Sequence, residues 1–424
     1  MQYYVSTLPN NLTVLRVAMP GVKSVTALAL VNTGRRYEEE KFAGISHFLE
    51  HMVFKGTDKY PTAQDVAAAI DGVGGEFNAF TGKEYTGYYV KLASRFLDTA
   101  LDVVTDMLCV PTLRQEDIDR ESGVIVEEIN MYEDMPMRQI HSIFEKLIFA
   151  DSNLAGPILG RKEVVTALKS EDFQNYMNEW YGFGNVVFIV AGDEEVVKDE
   201  KLVDTIARLV EKGGESRKSA EQKDFHNAKY SQNRKQIVYK KTEQAHFKMG
   251  FPAFGRTDQR KYAMSILETL MGTTMSSRLF TEIREKRGLC YYVKADMDYY
   301  QDVGVFTGYA GVDPSRVNEA VETMKKEFMA LVDEKPVTEQ EVDSAKRNVI
   351  GQLALELEDS QSVAIWYGMK QLLQNGIETE EELVKKIEAV TLQEVQELVR
   401  DIITEDALHF ALIGPFKDAD ITAI

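Results

Sequence analysis

Six histidines are spread over 424 residues, and two of them stand four apart in His47-Phe48-Leu49-Glu50-His51. In a helix, positions i and i+4 share a face on successive turns, so both imidazoles can reach one metal ion. Imidazole nitrogens suit zinc, and a zinc centre that does chemistry takes three protein ligands and keeps a fourth position open for water. Glu50, between the two histidines, is close enough to take a proton from that water and pass it to a leaving amine. The competing reading is an apolar helix face that carries two histidines, because Phe48, Leu49, Met52, Val53 and Phe54 look like core. The glutamate in the intervening slot tips the balance toward a metal site.

A third ligand has to come from another element. Residues 112–135 contain Ile118, Ile125, Ile129 and Tyr132, an apolar stripe at helical spacing. Glu121 and Glu128 are seven apart, two turns, and share a face of that helix. One can bind the metal while the other hydrogen-bonds or orients a ligand, and spacing alone leaves open which does which. Glu121, Glu127 and Glu128 are equally what a solvated acidic helix carries.

The elements that must position these groups are short. Strand-like runs at 25–29, 88–92 and 186–190 alternate with helical segments at 63–70, 93–108 and 115–132. The pattern predicts an α+β chain, with helices packed on mostly antiparallel sheets. It also repeats. Thr86-Gly87-Tyr88 followed by Ser94-Arg95 matches Thr307-Gly308-Tyr309 followed by Ser315-Arg316, both pairs 221 positions apart. Val187-Phe188-Ile189-Val190-Ala191-Gly192 matches His409-Phe410-Ala411-Leu412-Ile413-Gly414 at a shift of 222. The shared offset, about half the chain, predicts two homologous domains. Residues 212–236 are polar and lack apolar periodicity, so the expected division is a domain at 1–211, a linker at 212–236 and a domain at 237–424. The positions 221 beyond His47 and His51 hold Glu268 and Gly272, which places the metal pattern in the first half alone.

These residues carry a family resemblance. His47-Phe48-Leu49-Glu50-His51 is the inverzincin pattern. With its continuation through residue 56 and the glutamates downstream, the chain resembles the pitrilysin, insulysin and mitochondrial-processing-peptidase family, over nearly its whole length. The resemblance implies Zn2+ as cofactor on His47, His51 and Glu128. Seventy-six residues separate His51 from Glu128, the spacing at which the family places its third ligand. Glu121 is then the companion glutamate, Glu127 the fallback ligand one position away, and Glu50 the general base. Gly75-Glu76-Phe77-Asn78-Ala79-Phe80-Thr81 resembles the family's edge strand, where Asn78, Ala79 and Phe80 would pair with an extended substrate. Ser276-Ser277-Arg278-Leu279-Phe280 through Arg284-Glu285-Lys286-Arg287-Gly288-Leu289 resembles its C-terminal-half signature. Arg284 and Tyr291 fall on the pair that holds substrate from that half; on residue type alone, Arg284 is a helix charge and Tyr291 a strand aromatic.

What the resemblance implies is a zinc endopeptidase that hydrolyses unfolded peptides, bound extended in a chamber between the halves. Long members of the family carry four such domains, so a two-domain chain implies a homodimer or a heterodimer with a related subunit. The rival readings are a catalytically silent or partner-dependent subunit and a peptide-binding module that does not cleave.

Composition limits the alternatives. Lys and Arg number 49 against 68 Asp and Glu, a net charge of -19, which argues against nucleic acid and anionic membranes as partners. Two cysteines, Cys109 and Cys290, cannot form a disulfide framework. Residues 1–20 lack a signal-peptide pattern, and the longest apolar runs are strand-sized. The expected setting is cytoplasmic.

Overall fold

β-Branched and apolar runs build two sheets among the described residues of the computed structural model, which are 1–150, 152–214, 228–374 and 376–424. The first holds β1 (Gln2–Thr7), β2 (Thr13–Met19), β3 (Ser24–Val31), β4 (Glu76–Thr81), β5 (Thr86–Ala93) and β6 (Val186–Asp193), in the order β1-β2-β6-β3-β5-β4. β2 and β6 run parallel, and the other neighbours are antiparallel. The second holds β7 (Lys235–Tyr239), β8 (Ala245–Phe254), β9 (Cys290–Tyr299), β10 (Val303–Val312) and β11 (His409–Gly414), in the order β7-β11-β8-β10-β9. Here β7 and β11 are the parallel pair and the rest are antiparallel. Strand for strand, β2-β6-β3-β5-β4 and β7-β11-β8-β10-β9 are one arrangement. The α+β class and the duplication both follow the sequence pattern, with mostly antiparallel sheets and one parallel pair in each.

The repeated residues fall on equivalent elements. Thr86-Gly87-Tyr88 opens β5, and Thr307-Gly308-Tyr309 lies in β10. Ser94-Arg95 and Ser315-Arg316 each sit in a short 3-10 turn that leads into a helix. Five helices of the first half matter below: α1 (Ile45–Met52), α2 (Ala63–Asp71), α3 (Leu97–Cys109), α4 (Gln115–Asp134) and α5 (Pro136–Ile148).

The chain divides into two compact units. One takes Met1–Ile129, Pro157–Phe225 and Leu355–Thr379, and the other Asn130–Gly156, His226–Ala354 and Glu380–Ile424. Of the linker expected at 212–236, residues 215–227 lie outside the described residues, and His226 with them. Each unit borrows a helix from the other half of the chain, so its bounds are not a single cut at the linker. In the first unit α3 packs on one side of the sheet, and the helix Ser360–Gln374 also packs on β3 and β6. Ser360 Oγ lies 2.9 Å from Thr26 Oγ1 and 3.2 Å from Ser24 Oγ, and Lys91 pairs with Asp359 at 2.6 Å. Covered on two faces, β3 and β6 are buried almost end to end and show no polar alternation. In the second unit Ile140, Ile143 and Phe144 of α5 cluster with Val305, Ala411 and Ile413. The opposite-facing Phe247, Met249 and Phe251 join Val321, Met324 and Phe328. No helix among the described residues is long and apolar enough to cross a membrane.

Candidate metal centre

α1 buries Ile45, Phe48, Leu49 and Met52, the i, i+3, i+4, i+7 set, in the core of the first unit. That leaves His47, Glu50 and His51 on the other side. The helix begins at Gly44, whose φ of 100° is left-handed. A Cβ there would stand 2.7 Å from Leu159 O, so the approach to the loop also calls for glycine. α4 buries Ile118, Ile125 and Ile129 on one stripe, with Tyr132 half-buried. Glu121 and Glu128 stand beside that stripe.

The two helices bring three donor side chains together. Glu128 Oε2 lies 3.6 Å from His47 Nε2 and 3.6 Å from His51 Nε2. One ligand atom from each of His47, His51 and Glu128 falls within 4.8 Å of the others. Tetrahedral ligands at zinc bond lengths of about 2.0–2.1 Å would be about 3.3–3.5 Å apart, so this donor set fits zinc in chemistry and in spacing. Glu127 is exposed and stands outside the group.

The surroundings prepare the histidines as ligands. Burial, helped by the neighbouring His51 ring, pushes His47 down to about 4, so its imidazole is neutral at pH 7 and has a lone pair to give. His51 Nδ1 lies 2.9 Å from Glu121 Oε1, which directs its Nε2 toward Glu128. Lys55 Nζ pairs with the other oxygen of Glu121 at 2.5 Å. Burial alone would raise Glu121, but the hydrogen bonds from His51 and Lys55 outweigh it and hold the carboxyl below its ordinary range. His47 Nδ1 is buried and has no protein hydrogen-bond partner among the described residues.

Glu50 is tied to the sheet. Thr81 Oγ1, at the end of β4, donates to Glu50 Oε2 at 2.5 Å. Burial raises the Glu50 carboxyl above its ordinary value, the Thr81 bond and His51 pull it down, and Glu128 pushes it up again. A carboxylate poised in this way can both accept and return a proton. β4 is the end strand of its sheet and pairs with β5 alone among the described residues. Asn78 is exposed, Ala79 buried and Phe80 half-buried. The Ala79 N–H donates to Asn78 Oδ1 at 2.9 Å, a side chain rather than a strand.

Arg284 and Tyr291 belong to the second unit and are neighbours there, with the guanidinium 5.8 Å from the centre of the Tyr291 ring. Arg284 is half-buried, and Tyr291, in β9, is 76% exposed. Three polar residues around α1 escape the sequence reading. Thr81 closes the edge-strand motif, yet nothing in its type marks its hydroxyl as a partner of Glu50. Lys55 follows the histidine motif and reads as a solvated charge. Glu38 stands nine residues before His47, beyond any local capping pattern.

Comparison with known proteins gives the same outline. A family model described as insulinase, peptidase family M16, matches residues 13–161, and one described as the peptidase M16 inactive domain matches residues 167–349. An uncharacterized zinc protease of Streptomyces coelicolor is 36% identical over 417 residues, covering 97% of this chain and 90% of its own. The uncharacterized zinc protease YmxG of Bacillus subtilis is 34% identical over 412 residues, with 96% and 97% covered. The crystal structure of a protease from Helicobacter pylori matches with a TM-score of 0.85 over 98% of this chain and 99% of that one. Its 21% identity makes this a likeness of fold.

Proposed function

The chain belongs to peptidase family M16, and on that premise we propose that it is a zinc endopeptidase hydrolysing unfolded peptides or short polypeptides bound in extended form. The observation that carries the reading is the pair of Nε2 atoms, His47 and His51, each 3.6 Å from one oxygen of Glu128, with Glu50 on the same helix. Relatives named zinc proteases support the choice of metal. Zinc held by His47, His51 and Glu128 would supply a Lewis acid that makes water a nucleophile at neutral pH and polarises a peptide carbonyl.

This chain's own residues do the rest. Glu50 takes the proton from the attacking water and returns it to the leaving nitrogen, held in place by Thr81. Glu121 keeps the His51 ring in one orientation. The free edge of β4 at Asn78, Ala79 and Phe80 receives the peptide as an added strand, giving affinity through the main chain with little demand on sequence. Arg284 and Tyr291 contribute donors for substrate carbonyls from the second unit. The working form is a homodimer or a heterodimer with a related subunit. Its setting is the cytoplasm, a placement that rests on composition.

The test is digestion of a mixture of unfolded peptides by the zinc-loaded chain and by Glu50→Gln, read by mass spectrometry. New fragments from the wild type alone are expected. Equal digestion by Glu50→Gln would end the general-base assignment. No fragments from the wild type would favour the silent or partner-dependent subunit.

A further inference from the structure

α1 starts without a cap of its own. Gly44 occupies the N-cap position and has no side chain to accept the free amide hydrogens of the first turn. Two of them go instead to one distant carboxylate. Glu38 Oε2 accepts from Gly44 N at 2.7 Å, and Oε1 accepts from Ser46 N at 2.9 Å and from the Ser46 hydroxyl at 2.6 Å. Glu38 is 2% exposed, and Arg35 Nη1 stands 3.8 Å behind it. Ser46 Oγ is also 2.7 Å from Tyr176 Oη, which is 2.7 Å from Thr33 Oγ1, two residues past the end of β3. The first turn of α1 is thus tied through Glu38 and Tyr176 to the sheet and to the helix Ser170–Trp180.

Ser46 directly precedes His47. A buried anion at a helix N-terminus is favoured by the helix dipole, and here it also bonds the backbone directly. The geometry gives this contact leverage. Imidazole nitrogens lie roughly 6–7 Å from a helix axis, so a turn of about 10° would move them by about 1 Å. Metal sites tolerate errors of only about 0.2 Å in ligand distance.

We propose that Glu38 is a positioning residue for the metal centre, whose carboxylate sets the rotation and height at which α1 presents His47 and His51 to Glu128. The proposal rests on the metal-site reading above. Burial raises the Glu38 carboxyl above its ordinary value, and the bonds from Ser46 and Gly44 together with the nearby Arg35 oppose that rise without cancelling it.

The test uses the full-length apo chain titrated with Co2+, followed by its visible d–d absorption, and Zn2+ affinity by competition with a chelator. Glu38→Gln should weaken metal affinity about tenfold or more and shift the cobalt band. Ser46→Ala, which removes one of the three bonds and leaves the backbone pair, should move both readouts the same way by less. Ser360→Ala loses hydrogen bonds elsewhere in the same unit and should lower Tm without moving the band, which separates positioning from simple destabilisation. If Glu38→Gln does not fold, Ser46→Ala decides. A wild type that binds Co2+ beside a folded variant of unchanged band and affinity overturns this proposal alone. A wild type that takes up no Co2+ overturns the metal-site reading and this proposal together.

Discussion

The same helix occurs twice in this chain, and its two copies stand differently against their sheets. In the first unit α1 presents His47 and His51, and it meets β4 through the side-chain contact between Glu50 and Thr81. The positions 221 further on lie in the helix Lys261–Glu268 and the wider turn Thr269–Thr273 that continues it. There Glu268 replaces His47 and takes the amide hydrogen of Met297 in β9 at 3.1 Å. Gly272 replaces His51, and a Cβ on it would come within 2.0 Å of Ala295 N. The glutamates of α4 also have counterparts, Val342 and Val349, one buried and one packed against the apolar core. One copy of the helix therefore presents metal-ligand side chains to α4, and in its duplicate the equivalent positions hold a glutamate bonded to a strand amide, a glycine pressed against a strand and two apolar valines.

That contrast can be broken most severely by writing the second helix into the first. His47→Glu combined with His51→Gly should remove the bound zinc and reduce peptide hydrolysis by on the order of a thousandfold or more, read by metal analysis and a fluorogenic peptide. The reverse insult is to push the second helix off its sheet. Gly272→Leu meets backbone that cannot yield, so urea unfolding should show a loss of roughly 3 kcal/mol. Zinc content should stay as in the wild type. A tolerated leucine would mean that the second helix is not seated as described.

Glu268 gives a subtler distinction. Burial raises its carboxyl to about 7; the Met297 amide opposes this, and Asp296 and Asp298 add to the rise. In the unfolded chain the same group loses its proton near its ordinary value of 4.5. The folded state therefore binds more protons between these limits. The contribution is full below about 4.5, declines as pH rises to about 7, and is flat beyond. The urea midpoint of the wild type should fall relative to that of Glu268→Gln over this window, and parallel profiles would remove the assignment. The smallest change expected is in the first unit. Glu121→Gln keeps the shape beside His51 but loses the charge, and zinc affinity should drop about tenfold in chelator competition with the fold intact.

Much of this architecture is legible in residue order because it is periodic or repeated. The run at 25–29 grows to Ser24–Val31 and that at 186–190 to Val186–Asp193, each longer than its most apolar stretch because neighbouring strands continue the ladder. The four-residue spacing of His47 and His51 and the seven-residue spacing of Glu121 and Glu128 suffice to set those side chains on common helix faces. Which helix covers which sheet is another matter. Pro136–Ile148 and Ser360–Gln374 each carry an apolar face, and nothing in that face names the sheet of the opposite half as its partner. Glu38 and Thr81 are hidden for a similar reason. Their partners are 8 and 31 residues away in sequence, and short polar contacts of that reach leave no periodic trace. The adjacency of Arg284 and Tyr291 spans the junction of a helical turn and a strand, where neither period applies.

The most direct test of the account is diffraction from zinc-grown crystals measured on both sides of the zinc absorption edge. The account predicts one anomalous peak per chain, ligated by His47 Nε2, His51 Nε2 and a Glu128 oxygen, with Glu50 outside the ligand set and no peak beside Glu268 or Gly272. A fully occupied peak elsewhere with none between α1 and α4, or a zinc at the second helix, would contradict it.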